Sequence, residues 1–230
     1  MTYKVVIATP VDGDSVIGPV CANGYAVALA QILRDNRDAG YISPTVTYSA
    51  DVVRARNRLA AMVLREMPDA THVLWWDADV VPLDPSVLGR MLRLDLEIVG
   101  APYLRKRVPD AYAHKIFPGR GVPTEEDKAR GWMEVYALGL GFTLTTTRLL
   151  RRLSENCQRY IDKTTNGDRQ EVRGLFDLLY MEDQEGDWVQ ESEDGSFCAR
   201  ARGPWPIALY LGEGNAMAHV GHFAYTPKLR

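Results

Sequence analysis

The first hundred residues alternate between short apolar runs and longer amphipathic segments. The segments YKVVIATP (3–10), HVLWWD (72–77) and LEIVGAPY (96–103) are typical of buried strands, and TVTYS (45–49) is a further candidate strand. Between them, residues 22–39 and a segment that starts at Ser49 or Asp51 repeat apolar side chains at helical spacing. Strands that alternate with helices form a parallel sheet with helical crossovers, so we predict an α/β fold with a mostly parallel sheet flanked by helices.

The second half of the chain is less regular. Residues 104–131 are rich in proline and charge and are predicted to form a long loop, and residues 160–190 a loop with a short helix. The segment WMEVYALGLGFTLTTTRLLRRL predicts a strand, a glycine-rich turn, a strand and then a helix from Thr146 or Thr147. SEDGSFCARARG predicts a helix, PIALYL a late strand, and AMAHVGHFAYTPKLR an irregular tail.

The composition of the chain gives little support for nucleic-acid binding, membrane binding, a zinc site or a disulfide framework. The 230 residues include 46% hydrophobic and 25% charged residues, with a net charge of −3, which gives no general attraction to nucleic acid or anionic membranes. Three scattered cysteines predict neither a zinc site nor a disulfide framework. The chain shows no signal-peptide pattern and no apolar run of membrane-spanning length, so we expect a cytoplasmic protein without stable membrane insertion.

The apolar strand HVLWW ends in two aspartates, Asp77 and Asp79. In an extended chain residues i and i+2 point the same way, and open α/β sheets bind ligands at the carboxyl ends of their strands. Carboxylates there suit Mg²⁺ or Mn²⁺, which would hold a diphosphate. The alternative is an ordinary polar turn.

Two other motifs carry groups for acid–base chemistry or metal binding. Ser192 caps a predicted helix and places Glu193 and Asp194 in its first turn, where an ionised carboxylate could serve as a general base. In HVGHFAY, His219 and His222 could bind Mn²⁺ together with carboxylates. The alternatives are acids that only stabilise a helix, and histidines that are exposed or hydrogen-bond the backbone.

Two motifs could contact a ligand more directly. Arg56 and Asn57, in ARN, precede the strand HVLWW and could bind phosphate or ribose. Gly139 and Gly141, in ALGLGF, would allow a ligand to approach the backbone closely. The alternatives are a solvated helix face and a hairpin turn.

Taken in order, the motifs ATP, ARN, DAD, VGAPY, GLGF, SEDGSFCARAR and HVGHFAY resemble the GT-A glycosyltransferases, close to the family 2 group and its small bacterial and phage members. The resemblance covers nearly the whole chain except 104–131 and 160–190. It implies one Rossmann-like GT-A domain over 1–230, with a nucleotide-binding half (1–103) and an acceptor-binding, catalytic half (104–230). The implied reaction is metal-dependent transfer of a sugar from a UDP-sugar, such as UDP-glucose, to an acceptor hydroxyl with inversion.

The resemblance also implies residue roles. The residues implied to bind the nucleotide sugar are Thr9, Pro10, Arg56, Asn57, Asp77, Gly139 and Gly141. Those implied to hold Mn²⁺ or Mg²⁺ are Asp77, Asp79 and His219, with Asp79 as the direct ligand. Asp194 is implied to be the general base, with Glu193 beside it.

The acceptor is the open part of the resemblance. Small phage members suggest a 5-hydroxymethylpyrimidine in DNA, which would place the protein in the host cytoplasm. The candidates for contacting acceptor or phosphate are Arg105, Lys106, Arg107 and His222, although a charge run often only solvates a loop. A surface polysaccharide, a lipopolysaccharide or a protein is the alternative acceptor. A non-catalytic nucleotide-sugar-binding module, which would not need Asp194, is the alternative of another class.

Overall fold

The computed structural model describes residues 3–10, 51–104, 113–116, 122–163, 167, 169–183, 185–213, 217–220 and 224–225, together with Val27, Ala30 and Arg34. Val27, Ala30 and Arg34 are helical and exposed, in agreement with the helix predicted over 22–39. The strand predicted at 45–49 lies outside the described residues. No helix in the described part of the chain is long and apolar enough to span a membrane.

The described part of the chain is rich in short strands, several of which follow one another without a helix between them. The helices are α1 (Val52–Glu66), α2 (Val87–Arg93), α3 (Glu125–Arg130), α4 (Thr147–Asn156) and α5 (Glu193–Ala201). The strands are β1 (Val5–Ala8), β2 (His72–Trp76), β3 (Val80–Pro82), β4 (Ile98–Gly100), β5 (His114–Lys115), β6 (Trp132–Glu134), β7 (Ala137–Leu138), β8 (Phe142–Thr146), β9 (Arg159–Lys163), β10 (Arg169–Arg173), β11 (Tyr180–Glu182), β12 (Trp188–Gln190), β13 (Ala208–Tyr210), β14 (Met217–Val220) and β15 (Ala224–Tyr225).

The central sheet is mixed, with six strands in the order β1-β2-β8-β4-β13-β6. β1 pairs in parallel with β2, and β4 with β13. β8 runs antiparallel to both β2 and β4, and β6 antiparallel to β13. The prediction of a mostly parallel sheet was wrong. It rested on the alternation of strands with helices in the first hundred residues, and this alternation does not continue after β4. β6 and β8 follow with no helix between them, and parallel strands need a crossover connection.

Strand β2 lies in the middle of the core. Trp75 packs on one side of the sheet with residues of α1, α4 and α5, and Trp76 packs on the other side with residues of α2. Both side chains are fully buried. Burying a large apolar side chain contributes about 1.5–3 kcal/mol to stability. β2 is therefore held firmly from both faces, and the residue that follows it has a fixed position.

Three of the predicted helix starts are confirmed. Asp51 caps α1 by accepting a hydrogen bond from the Val53 amide at 2.9 Å. Thr146 caps α4 and Ser192 caps α5 through their hydroxyl oxygens. A side-chain cap satisfies backbone N–H groups that have no partner within the helix, which is why these short polar residues begin helices.

Three segments predicted to be irregular contain regular structure. Residues 104–131 include β5 and the helix α3, and the tail supplies β14 and β15. The described residues of 160–190 form two hairpins, β9–β10 and β11–β12, in place of the predicted short helix. Gly167 (φ 88°) and Gly186 (φ 87°) adopt left-handed conformations at the hairpin turns. The hairpin strands are largely exposed, so they lack the regular apolar alternation that identifies a half-buried strand.

Candidate functional site

Three of the predicted motifs meet at the carboxyl ends of β1 and β2. Ala8 pairs with Trp75, which places Thr9 and Pro10 beside the end of β2. Asp77 follows β2 directly, and its backbone N–H donates to the carbonyl of Gly141 at 3.0 Å. The segments ATP, DAD and GLGF are therefore neighbours in the folded chain.

Asp77 and Asp79 lie in a turn. The Val80 amide donates to the Asp77 carbonyl at 3.0 Å, and β3 begins at Val80. The prediction that an extended strand directs both carboxylates the same way was wrong, because the strand ends at Trp76. β14 pairs with β3 so that His219 lies opposite Val80, which brings its backbone next to the residue that follows Asp79.

Arg56 links the end of β2 to the start of α5. Its side chain is only 2% exposed, and Nη2 donates to the carboxylate of Asp77 at 3.0 and 3.3 Å. Nη1 donates to Glu193 at 2.9 Å and to Asp194 at 2.5 Å. A buried charge is costly unless it is paired, so three carboxylates around one guanidinium explain how Arg56 can lie inside the protein. We call these four residues the Arg56 cluster.

The Arg56 cluster shifts the protonation of its members. Burial acts against the charge of Arg56, but Asp77, Asp194 and Glu193 together raise its pKa above the ordinary value, so the guanidinium stays charged. For Asp194, burial raises the pKa to about 7, while the charge of Arg56 opposes this shift and the neighbouring carboxylates add to it. A carboxylate with a pKa near neutrality is suited to accept a proton at physiological pH.

Tyr103 belongs to the site, although it was not among the residues predicted from the sequence. Its hydroxyl oxygen accepts a hydrogen bond from the Gly141 amide at 2.9 Å. Burial, followed by the negative charges of Asp194 and Asp77, raises the pKa of Tyr103 well above its usual value, so the hydroxyl stays protonated. Its place in the motif VGAPY, three residues after the end of β4, was the sequence signal that could have found it.

Gly139 and Gly141 make room for Tyr103. A Cβ at Gly139 would lie less than 3.0 Å from the Tyr103 hydroxyl, and a Cβ at Gly141 would lie 2.7 Å from the same atom. Real Cβ atoms do not approach other atoms this closely. The packing of Tyr103 therefore accounts for both glycines, and their predicted contact with a donor sugar stays a prediction.

A cavity of about 290 Å³ lies beside the Arg56 cluster. The residues that line it include Tyr103, His114, Lys115, Gly139, Asp194 and Gly195. His114 and Lys115 lie in the segment predicted to be a loop, and neither was among the predicted site residues. Their location in β5, paired with β7, brings them to the cavity wall.

The start of α5 is packed closely against Glu191. A Cβ at Gly195 would lie less than 3.0 Å from the Glu191 carboxylate, so a glycine in the first helical turn allows that carboxylate to approach. Glu191 also forms an ion pair with Lys115 at 2.7 Å. These contacts fix the end of α5 that carries Glu193 and Asp194.

Asn57 contacts a different part of the structure. Its amide nitrogen donates to Tyr160 at 3.0 Å and to Asp177 at 2.7 Å, and its oxygen accepts from the Phe176 amide at 2.9 Å. Asn57 therefore holds the segment after β10 by hydrogen bonds, whereas the neighbouring Arg56 belongs to the Arg56 cluster. Arg105, Lys106, Arg107 and His222 lie outside the described residues.

A second acidic group lies at the tip of the β11–β12 hairpin. Carboxylate oxygens of Asp183, Glu185 and Asp187 lie within 4.8 Å of one another, and all three residues are exposed. Asp183 also accepts hydrogen bonds from the amides of Glu185 and Asp187, which accounts for the shape of the turn. This group is an exposed acidic turn.

Comparisons with known proteins support the fold. No protein-family model matches the chain, and no curated protein matches its sequence. The structure of A197 from STIV superposes with a TM-score of 0.54 at 16% identity, covering 95% of this chain and 86% of that chain. This similarity shows a shared fold. A glycosyltransferase involved in the glycosylation of the major capsid of PBCV-1 superposes with a TM-score of 0.36 at 8% identity, over 65% of this chain and 64% of that chain, which is too low to carry an argument.

Proposed function

We propose that the chain is a glycosyltransferase of the GT-A type, which moves a sugar from a nucleotide-sugar donor, such as a UDP-sugar, to an acceptor hydroxyl. The observation that carries the proposal is the Arg56 cluster. It joins Asp77, at the carboxyl end of a central strand, to Asp194, at the start of α5, beside a cavity. Ligands of open α/β sheets bind at such strand ends.

Asp194 is the proposed general base. It lines the cavity, and burial raises its pKa to about 7. Arg56 binds its oxygen Oδ1, so we assign the proton to the other oxygen, Oδ2. The acceptor O–H bond breaks, the acceptor oxygen bonds to the anomeric carbon, and the bond from that carbon to the diphosphate breaks with its electron pair. Attack from the face opposite the leaving group inverts the configuration.

The residues at the end of β2 suit a divalent cation by their chemistry. Asp77 and Asp79 supply carboxylate oxygens, and His219 supplies an imidazole on a strand that pairs with β3. Because Asp77 shares both its oxygens with Arg56, we assign Asp79 and His219 as direct ligands and Asp77 to the ribose or the cation. When bound, Mn²⁺ or Mg²⁺ would stabilise the charge that develops on the leaving diphosphate.

The cavity suits a sugar. Its volume of about 290 Å³ lies at the lower end of the range for small-molecule sites, so it suits a single sugar ring. Tyr103, whose hydroxyl is protonated, lines this cavity together with the backbone of Gly139. We place the transferred sugar in this cavity, with the nucleotide nearer Thr9 and Pro10.

The first experiment measures thermal stability with uridine and guanosine diphosphates, each with and without Mn²⁺. A nucleotide at 100 times its Kd adds about 2.7 kcal/mol of stability. We expect stabilisation only when the cation is present, and its loss in Asp79→Asn. Glu125→Gln, at an exposed position of α3, is the matched control. If no nucleotide produces a cation-dependent shift, the proposed function is wrong.

The second experiment separates an enzyme from a nucleotide-sugar-binding module. Asp194→Asn should still bind nucleotide but should lose about 10²–10⁴-fold in turnover, the contribution of general base catalysis. Release of nucleoside diphosphate from the nucleotide sugar is the readout. Unchanged turnover in Asp194→Asn would rule out Asp194 as the base, and nucleotide binding without turnover in the wild type would indicate a binding module.

A further inference from the structure

The β11–β12 hairpin presents a polar and aromatic face that contains none of the proposed donor-binding, metal-binding or base residues. Tyr180 pairs with Gln190 and Glu182 with Trp188, so these four side chains share one face of the ribbon. Tyr180 and Trp188 are diagonal neighbours on that face, close enough for one ligand to span both rings. We call these four residues the hairpin platform.

The aromatic rings of the hairpin platform face solvent. Trp188 is 72% exposed and Tyr180 63% exposed, although such rings gain free energy when they are buried. The side-chain nitrogen Nε2 of Gln190 donates to the Tyr180 hydroxyl at 3.0 Å, which fixes the orientation of that ring. Large exposed apolar groups surrounded by polar ones mark interaction sites.

The hairpin platform adjoins the helix that carries the proposed base. The Leu179 amide, directly before β11, donates to the Ser196 hydroxyl of α5 at 2.9 Å. The Glu191 amide, directly after β12, donates to the Leu179 carbonyl at 2.9 Å. At about 3.3 Å per residue, Trp188 lies about 10 Å along the chain from Glu191, whose partner Lys115 lines the cavity.

The charges around the hairpin platform select against polyanions. Glu182 lies on the platform, and the exposed carboxylates of Asp183, Glu185 and Asp187 lie at the tip of the hairpin. These groups repel phosphate but accept hydrogen bonds from hydroxyl groups, which charge assistance strengthens. Sugar rings combine an apolar face of C–H groups with a rim of hydroxyls, and so match both the aromatic rings and the carboxylates.

We propose that the hairpin platform binds a sugar ring of a neutral oligosaccharide acceptor, so that the acceptor is a glycan. This inference rests on the proposed function for its place in the reaction, but binding can be measured without turnover. Under this inference DNA, the acceptor suggested by the resemblance, does not bind the hairpin platform.

The test titrates the full chain with maltohexaose, cellohexaose, chitohexaose, a hexamer of galacturonic acid and single-stranded DNA, and follows tryptophan fluorescence and calorimetric heat. We expect a neutral hexasaccharide to bind and Trp188→Ala to weaken it about tenfold, with little change in Trp188→Phe. Val122→Ala, at an apolar position that is 85% exposed outside the hairpin, is the matched control.

Several outcomes would overturn the inference. These are no binding of any neutral oligosaccharide, binding that Trp188→Ala leaves unchanged, or Trp188-dependent binding of DNA or of the acidic hexamer. A dimer that Trp188→Ala dissociates in sedimentation would assign the platform to a second copy of the chain.

Kinetics then link the platform to the reaction. Trp188→Ala should raise the acceptor KM about tenfold, whereas Val122→Ala should leave it unchanged. If the wild type turns over donor and Trp188→Ala leaves the acceptor KM unchanged, the platform is not an acceptor site and the proposed function stands. If neutral glycan binds but no nucleotide does, the proposed function fails and the platform stands as a glycan-binding surface.

Discussion

Arg56 brings three carboxylates within hydrogen-bonding distance while its side chain is only 2% exposed. The variant Arg56→Met has an uncharged side chain at this position, so the three carboxylates lose the cation that they share. We expect the free energy of unfolding in urea to fall by about 3–5 kcal/mol, because breaking a buried ion pair leaves uncompensated charge. Arg65→Met is the control on the same helix, since Arg65 is exposed and should cost no more than about 0.5 kcal/mol. Equal losses in both variants would contradict a central role for Arg56.

The protonation of Asp194 gives the reaction a defined pH dependence. Burial raises its pKa from 3.8 to about 7, so the base is protonated below neutrality and ionised above it. We expect kcat to rise with pH, with a midpoint near 7. A rate–pH profile measured with saturating donor checks this, and a midpoint near 4 would show that Asp194 is not the titrating base.

The same pKa shift affects stability with a definite sign. Because the folded chain holds the Asp194 proton more tightly than the unfolded chain, this group stabilises the fold fully below about pH 4. Its contribution is lost as the pH rises through about 7. Asp194→Asn should remove this part of the pH dependence of unfolding in urea, which a comparison of the two proteins between pH 4 and pH 8 measures.

Single residues of the site differed in how well the sequence revealed them. Asp77 and Asp194 lie at a strand end and in a first helical turn, positions that local patterns identify. The pairing of Arg56 with Asp194 spans 138 positions in the chain, and no local pattern contains it. Tyr103 was missed for the same reason, because two glycines of a distant turn create its place.

Alanine substitutions at two helix caps should affect stability equally but turnover differently. Ser192 caps α5, which carries the proposed base, whereas Thr124 caps α3 in a capping box with Asp127. Each substitution to alanine should lower the free energy of unfolding by about 1 kcal/mol. We expect only Ser192→Ala to lower turnover as well, because it loosens the turn that holds Glu193 and Asp194. Equal turnover in the two variants would show that the cap does not position the base.

Elements were predicted well where burial imposes a pattern. The start of α1, predicted at Ser49 or Asp51, lies at Asp51, and the strand β2 follows from a continuous apolar run. The hairpins β9–β10 and β11–β12 were missed, because their exposed strands bury too few side chains to show a period of two. The dipeptide Asn166-Gly167 was the available hairpin signal.

Across the whole molecule, the protection of backbone amides should follow the order of burial. β2 and β8 are paired over five positions inside the sheet, whereas β12 is exposed along its length. We expect amides of β2 and β8 to exchange with deuterium only through global unfolding, and those of β11–β12 to exchange faster through local opening. Hydrogen exchange followed by mass spectrometry of peptides checks this, and uniform protection would contradict it.

The position of β13 has a consequence for how the protein is made. β13 lies between β4 and β6, although it is synthesised more than a hundred residues after β4. Until Ala208–Tyr210 leave the ribosome, the sheet lacks an interior strand, and until α5 leaves it Arg56 lacks two of its three acidic partners. Long-range pairings of this kind slow folding and keep apolar edges open during translation. We therefore expect the nascent chain to need chaperones that cover these apolar edges. The six-stranded sheet should become complete at nearly the same stage of synthesis at which Asp194 reaches Arg56.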